Sequence, residues 1–405
     1  MSEGDVNAQG GFYGNALQAT SEGGHIEVVQ TLLNKGANVN AQGGQYGNAL
    51  QAASSRGHEK VVQMLLEKNA DVNAQGGEYG NALQAASSRG HEEVVQMLLN
   101  KGADINAQGG FYGNALQAAS EGGHEKVVQI LLEKDADVNA QGGYYGNALQ
   151  AASSRGHEEV VQTLLDKGAN VNAQGNFFDQ TNFRNEKDVT PLYAASYGGY
   201  EKVVQMLLEK NANVNAQGGE YGNALQAASS RGRIEVVQTL LDKGANVNAQ
   251  GGLYGNALYA ACAGGKKQVF ELLLSSGADL NYTDFLGRSI IHTAAIDLSV
   301  VLWDLLCKLG LHFNLPDNQC WRPAHWAAYF GNTKMLEALM SAGVEMVCTD
   351  WQGWTPYEVA QFAGHADTLK FICPLAQYQQ GYDMGVEPGE EISGYCNSCT
   401  HNLRL

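Results

Sequence analysis

Asn48-Ala49-Leu50-Gln51-Ala52-Ala53-Ser54-Ser55-Arg56-Gly57-His58-Glu59-Lys60-Val61-Val62-Gln63-Met64-Leu65-Leu66-Glu67-Lys68-Asn69 reads as two short helices and the break between them. Asn48 is an N-cap residue whose side-chain oxygen accepts from the free N–H groups of a first turn. Ala49 to Ala53 form the helix, and their small side chains let a neighbour approach closely. Ser54 to Gly57 break it. His58-Glu59-Lys60 opens a second helix with an acid in its first turn, which suits the helix dipole. Val61, Val62, Leu65 and Leu66 then form an apolar stripe at helical spacing. Asn69 sits just past the last Lys, as Gly36 and Gly102 do in neighbouring copies, where a left-handed residue closes a helix. Ala70 to Gly77 is an extended, turn-rich link.

The stretch recurs. Aligned on Asn-Ala-Gln-Gly, units begin at Asn7, Asn40, Asn73, Asn106 and Asn139, each 33 residues apart. The sixth unit begins at Asn172 and is ten residues longer; the period resumes at Asn215, Asn248, Asn281, Asn314 and Val347. The expected organisation is a remnant of a preceding repeat at 1–6, then eleven units at 7–39, 40–72, 73–105, 106–138, 139–171, 172–214, 215–247, 248–280, 281–313, 314–346 and 347–379. An acidic linker at 380–394 and a tail at 395–405 follow. Helices this short cannot bury their apolar faces alone, but stacked units share one core. The fold class is therefore an all-α solenoid of helix–turn–helix units joined by hairpin loops. Trp303, Trp321, Trp326, Trp351 and Trp354 gather in the divergent units nine to eleven, which can cap the stack.

This unit resembles the ankyrin repeat. The family's Thr-Pro-Leu-His signature survives in part as Thr190-Pro191-Leu192-Tyr193 and Thr355-Pro356-Tyr357. Ile291-His292-Thr293-Ala294-Ala295 and Ala324-His325-Trp326-Ala327-Ala328 are related forms. Elsewhere Asn-Ala-Leu-Gln stands in its place, so Asn and Gln must supply the hydrogen bonds of the family's Thr and His. The near-identical units are similar to the arrays of filamentous-fungal ankyrin proteins, some of which carry a NACHT nucleotide-binding module. That resemblance implies a protein-recognition scaffold, intracellular and cytoplasmic, or the sensing part of a larger receptor.

The chain is 405 residues long with a net charge of −17. Nucleic-acid binding draws its affinity from Lys and Arg on phosphates, so an acidic chain without a basic stripe argues against it. No run of about 18 apolar residues exists to cross a membrane, and the first residues are neither basic nor apolar enough for a signal peptide. All seven Cys lie at or beyond Cys262, which suits a reduced setting better than a disulfide framework.

The candidate chemistry is thin. Gly10-Gly11-Phe12-Tyr13-Gly14 lacks the Lys and flanking strand of a phosphate loop and reads as a hairpin turn. His25, His58, His91, His124 and His157 form a row, but equivalent residues about 10 Å apart cannot share a zinc whose bonds are about 2 Å. No nucleophile–base–acid set stands out, so an enzyme is only an outside alternative and no small-molecule substrate is expected. Cys396-Asn397-Ser398-Cys399-Thr400-His401 is similar to the opening of a ZZ-type zinc finger without its later ligands. Cys396, Cys399 and His401 are therefore candidate zinc ligands, and no other cofactor is expected. A second reading makes the array a structural spacer and that tail the working element.

Two sets of residues are candidates for partner contact. The sixth position of each unit changes character freely, through Phe12, Gln45, Glu78, Phe111, Tyr144, Glu220 and Leu253, which implies exposure. Its neighbour is Tyr in the same seven units, either a stack between tips or a platform for a ligand. The second set lies in repeat six. Its insertion carries Phe177, Phe178, Phe183 and Arg184, and its body replaces the usual residues with Tyr193 and Tyr197. Aromatics and Arg dominate interface hot spots, so this repeat is expected to be the specific contact site.

Overall fold

The computed structural model describes residues 5–179, 184–296 and 302–372, the side chains of 178, 179, 184 and 185 excepted. The array falls into two compact units, Met1–Ala224 with Asp242–Gly244, and Leu225–Leu241 with Ala245–Leu405.

In the first unit each repeat builds as its sequence dictates. Asn48 is extended at φ −152° and its Oδ1 accepts from Gln51 N at 2.9 Å. The first helix, Ala49–Ser55, is buried along its whole length, since Ala on every close-packed face lets both neighbouring first helices approach. Gly57 (φ +72°) ends that turn, and the second helix runs Glu59–Glu67 with Val61, Val62 and Leu65 buried. Asn69 closes it in the left-handed region at φ +60°.

The Asn of each Asn-Ala-Gln-Gly ties the start of its repeat to the end of the same repeat. Asn40 Oδ1 accepts from Asp71 N at 2.8 Å, and its Nδ2 donates to Asn69 O at 3.2 Å. Asn7 treats Asn38 and Gly36 in the same way, at 2.7 and 3.3 Å. Gln makes the second clip. Gln18 Nε2 donates to Ala41 O at 3.0 Å and Gly47 O at 3.1 Å, both in the following repeat. Gln51 and Gln84 repeat the pattern on Ala74 and Gly80, and on Ala107 and Gly113. The His row does similar work: His58 and His157 donate from Nε2 to Glu22 O and Glu121 O, at 2.8 and 2.9 Å. The Gln and His residues spend their polar groups on the following or preceding repeat, which is why the array is cohesive despite helices of seven and nine residues.

The ten-residue insertion departs from the expected loop. It forms an antiparallel hairpin of β1 (Gly175–Asp179) and β2 (Arg184–Val189), with Phe178 opposite Asn185 and Asp179 opposite Arg184. The side chains of Phe177, Glu186 and Val189 are buried while Lys187 and Asp188 are exposed. A pairing this short gives too few alternations for the period of a strand to stand out in the sequence.

The second unit opens with repeats of the same kind and then changes. In the ninth and tenth repeats His292 and His325 occupy the Gln position. The eleventh has a first helix, Pro356–Ala363, with a Thr355–Glu358 capping box, and residues 366–372 are helical.

Candidate protein-interaction surface

The tip of each uniform repeat is a backbone device. Gly43 N donates to Gly47 O at 2.8 Å, and Gly43, Gly44 and Gly47 all have positive φ (143°, 64° and 88°). A Cβ on Gly44 would lie 2.3 Å from the Tyr13 carbonyl, so the tips approach too closely for any other residue. Gly10 pairs with Gly14 in the same way, which makes the first Gly-rich segment a tip.

Neighbouring tips are joined through the variable residue. Gln45 N donates to Phe12 O (3.0 Å), Glu78 N to Gln45 O (2.9 Å), Phe111 N to Glu78 O (3.1 Å) and Tyr144 N to Phe111 O (3.2 Å). The backbone at this position is fixed on a ladder, and the side chain projects from it. Phe12 is 62% exposed and Tyr144 40%; Gln45 and Glu78 are exposed, and Phe111 is half-buried. The projecting groups touch in pairs, Gln45 Nε2 donating to Glu78 Oε2 at 2.7 Å and the Phe111 and Tyr144 rings stacking at 4.2 Å.

Behind this row the constant tyrosines form a second column. Tyr13, Tyr46, Tyr79 and Tyr112 stack with successive centroids 6.4 Å apart. Tyr46 and Tyr79 are buried, and burial raises the Tyr112 phenol to about 12. These rings hold the tips together.

Arginines flank the column. Arg56 Nε donates to Glu22 Oε1 at 2.7 Å, and the Tyr46 hydroxyl donates to the same oxygen at 3.3 Å. Arg155, Glu121 and Tyr145 repeat that triad. The alternation of Ser-Glu-Gly-Gly in repeats one and four with Ser-Ser-Arg-Gly in two, three and five was its signal in the sequence.

Repeat six requires a correction. Phe177, Tyr193 and Tyr197 are buried and offer a partner little surface. Phe177 meets Tyr197 edge-on at 6.1 Å, and Tyr197 packs on Tyr221 at 5.7 Å. The Tyr193 hydroxyl donates to Glu186 Oε2 at 2.6 Å, and Glu220 N donates to the same oxygen at 2.9 Å. Burial, with Glu186 beside it, pushes the Tyr193 phenol well above its ordinary range. These aromatics replace the Gln and Ser of other repeats because a hairpin has to be seated there. Glu186, which the sequence did not single out, is its polar anchor. Glu220 is half-buried as a result. Phe183 and the side chains of Phe178 and Arg184 lie outside the described residues, as do Cys396, Cys399 and His401.

In the second unit Leu253 is 51% exposed at its tip. A concavity of about 460 Å³ is lined by Leu253, Tyr254, Ala263, Ile296 and Phe330, with the Arg288–Asp284 ion pair (2.7 Å) at its wall. Arg288 also lies over Trp326, 5.2 Å from the ring centre. Among the described residues no three His, Cys, Asp or Glu side chains are grouped so as to hold a metal, and no helix is long and apolar enough to cross a membrane.

Paired helices clipped repeat to repeat, with exposed and interchangeable side chains on rigid tips, define a helical repeat scaffold. The chain belongs to the ankyrin-repeat family: the model for ankyrin repeats in three copies matches residues 2–76, 82–175, 176–251 and 227–317, and that for many copies matches 297–340. Ankyrin repeats are a scaffold for protein–protein interaction. One repeat-length stretch of 33 residues is 70% identical to azaphilone pigments biosynthesis cluster protein L of Monascus ruber. It spans 8% of this chain and 7% of that protein, a likeness of one repeat.

Proposed function

We propose that this chain is a protein-recognition scaffold that binds its partner across the tips of repeats one to five. The observation that supports the reading is the contrast within each tip. Glycines, Tyr and backbone rungs repeat, while the outward side chain passes through Phe12, Gln45, Glu78, Phe111 and Tyr144. A packing role restricts polarity, whereas recognition profits from a rigid frame with interchangeable side chains. The half-exposed Phe111–Tyr144 stack is its aromatic anchor. A role as the sensing part of a larger receptor would use the same surface.

A photo-crosslinking amino acid placed at Phe111, and separately at the exposed Glu133 on a second helix, tests the proposal in the native cell. The tip position should capture a discrete protein that the helix position does not. Equal capture from both, or capture only from Glu133, would place the contact elsewhere.

A further inference from the structure

Arg56, Arg89 and Arg155 occupy one position in repeats two, three and five. Two of them are neutralised within the chain, Arg56 by Glu22 and Arg155 by Glu121, in each case from the repeat before. Arg89 is different. The residue in the Glu position before it is Ser55, whose hydroxyl donates to Ala52 O at 2.9 Å. The Arg89 guanidinium is left with the Tyr79 hydroxyl, 3.4 Å from Nη2, and the residue is exposed. The largest influences on it are the phenols of Tyr79 and Tyr112, which favour its charged form, and burial, which opposes it.

We infer that Arg89 is the docking point for an Asp or Glu side chain of the partner peptide, which supplies the carboxylate that Glu22 and Glu121 supply internally elsewhere. This rests on the tip-binding reading above and gives the partner its chemistry. The bond to the Tyr79 hydroxyl holds the guanidinium beside the stacked rings of Tyr46, Tyr79 and Tyr112, so an arriving carboxylate meets a positioned cation. The chain as a whole carries −17, which disfavours a uniformly acidic partner. The peptide that fits has one acidic residue in a neutral or basic segment.

The repeats provide their own controls. Ser55→Glu rebuilds in front of Arg89 the ion pair already present at Arg56 and Arg155. Glu121→Ser releases Arg155 from its ion pair and makes it an equivalent of Arg89. The test pans a displayed random peptide library against the full chain and measures selected peptides on wild type, Arg89→Gln, Ser55→Glu and Glu121→Ser, with melting curves to confirm folding. The expected result is enrichment of Asp or Glu at one position, with affinity falling about tenfold in Arg89→Gln and in Ser55→Glu. Glu121→Ser should select an additional acidic class. Peptides without an enriched acid, or acidic peptides whose affinity is unchanged in both Arg89→Gln and Ser55→Glu, would overturn the carboxylate site and leave the scaffold reading standing. Failure to enrich any peptide over a control without the protein would count against the scaffold reading and the site together.

Discussion

Repeats one to five and repeats nine to eleven solve the same local problem with different chemistry. In the uniform repeats Asn15 N donates to Gln18 Oε1 at 3.1 Å, and Gln18 Nε2 reaches Gly47 O, 29 residues on. In the tenth repeat Arg322 N donates to His325 Nδ1 at 3.1 Å, and His325 Nε2 donates to Trp354 O at 3.0 Å, also 29 residues on. The tips differ as well. The uniform repeats close with Gly against Gly, whereas Asp350 Oδ1 closes the last tip by accepting from Gln352 N and Trp354 N at 2.8 and 2.9 Å. One frame is neutral and built from backbone; the other uses ionisable side chains. A neutral backbone frame leaves the outward residue free to change, and that is where this chain varies.

The comparison can be broken by substitution. Gln84→Leu should cost about 3 kcal/mol, because it takes the Gln donor from the half-buried Ala107 carbonyl and one of two donors from the buried Gly113 carbonyl, which keeps only Gly109 N. Chemical denaturation would measure it, and a loss below 1 kcal/mol would deny the Gln clip its structural role.

The His frame should show a pH dependence that the Gln frame lacks. Burial lowers His292 to about 4 and lowers His325, with Arg288 opposing and Asp284 favouring the protonated form of His292. Below the ordinary imidazole range near 6.5 the unfolded chain takes up protons that the folded chain refuses. Stability is therefore full above about pH 6.5 and declines as pH falls toward 4, by at most about 3 kcal/mol for His292. A His292→Gln, His325→Gln double variant should lose most of that decline. An unchanged pH profile would show that the two frames are not interchangeable in the way described.

Two smaller effects sharpen the picture. Gly77→Ala places a Cβ 2.3 Å from the Tyr46 carbonyl carbon at φ +64° and should cost about 2 kcal/mol by thermal unfolding. Glu121→Gln weakens a half-exposed ion pair with Arg155 and should cost about 0.5 kcal/mol. A larger loss there than at Gly77 would reverse the ranking of backbone over charge.

The fold was legible because its signals are local and repeated. Asn48 before a short helix, acids opening the second helix and Gly36 or Asn69 after its end each act within one turn, and the period multiplies them. The exposure of Phe12, Gln45 and Leu253 was legible because their polarity changes while Tyr beside them does not. The burial of Phe177, Tyr193 and Tyr197 in repeat six was not legible, for a physical reason. Aromatic side chains gathered in an insertion look the same in sequence whether they face solvent or seat a hairpin. Only the bond from Tyr193 to Glu186, and the packing of Phe177 on Tyr197, decides between the two. The free cation at Arg89 was written in the Ser-Glu-Gly-Gly alternation, but its meaning depends on which repeat each Glu faces.

The most direct measurement of the account is a calorimetric titration of the protein captured at Phe111 against wild type and a variant with Phe12, Gln45, Glu78, Phe111 and Tyr144 all replaced by Ala. The substitutions leave the rungs and glycines intact, so the protein should still unfold cooperatively, losing only what the Phe111–Tyr144 stack and the Gln45–Glu78 bond contribute. Binding should weaken by at least about 2 kcal/mol, roughly thirtyfold in affinity. Affinity within twofold of wild type would contradict it and move recognition away from the tips.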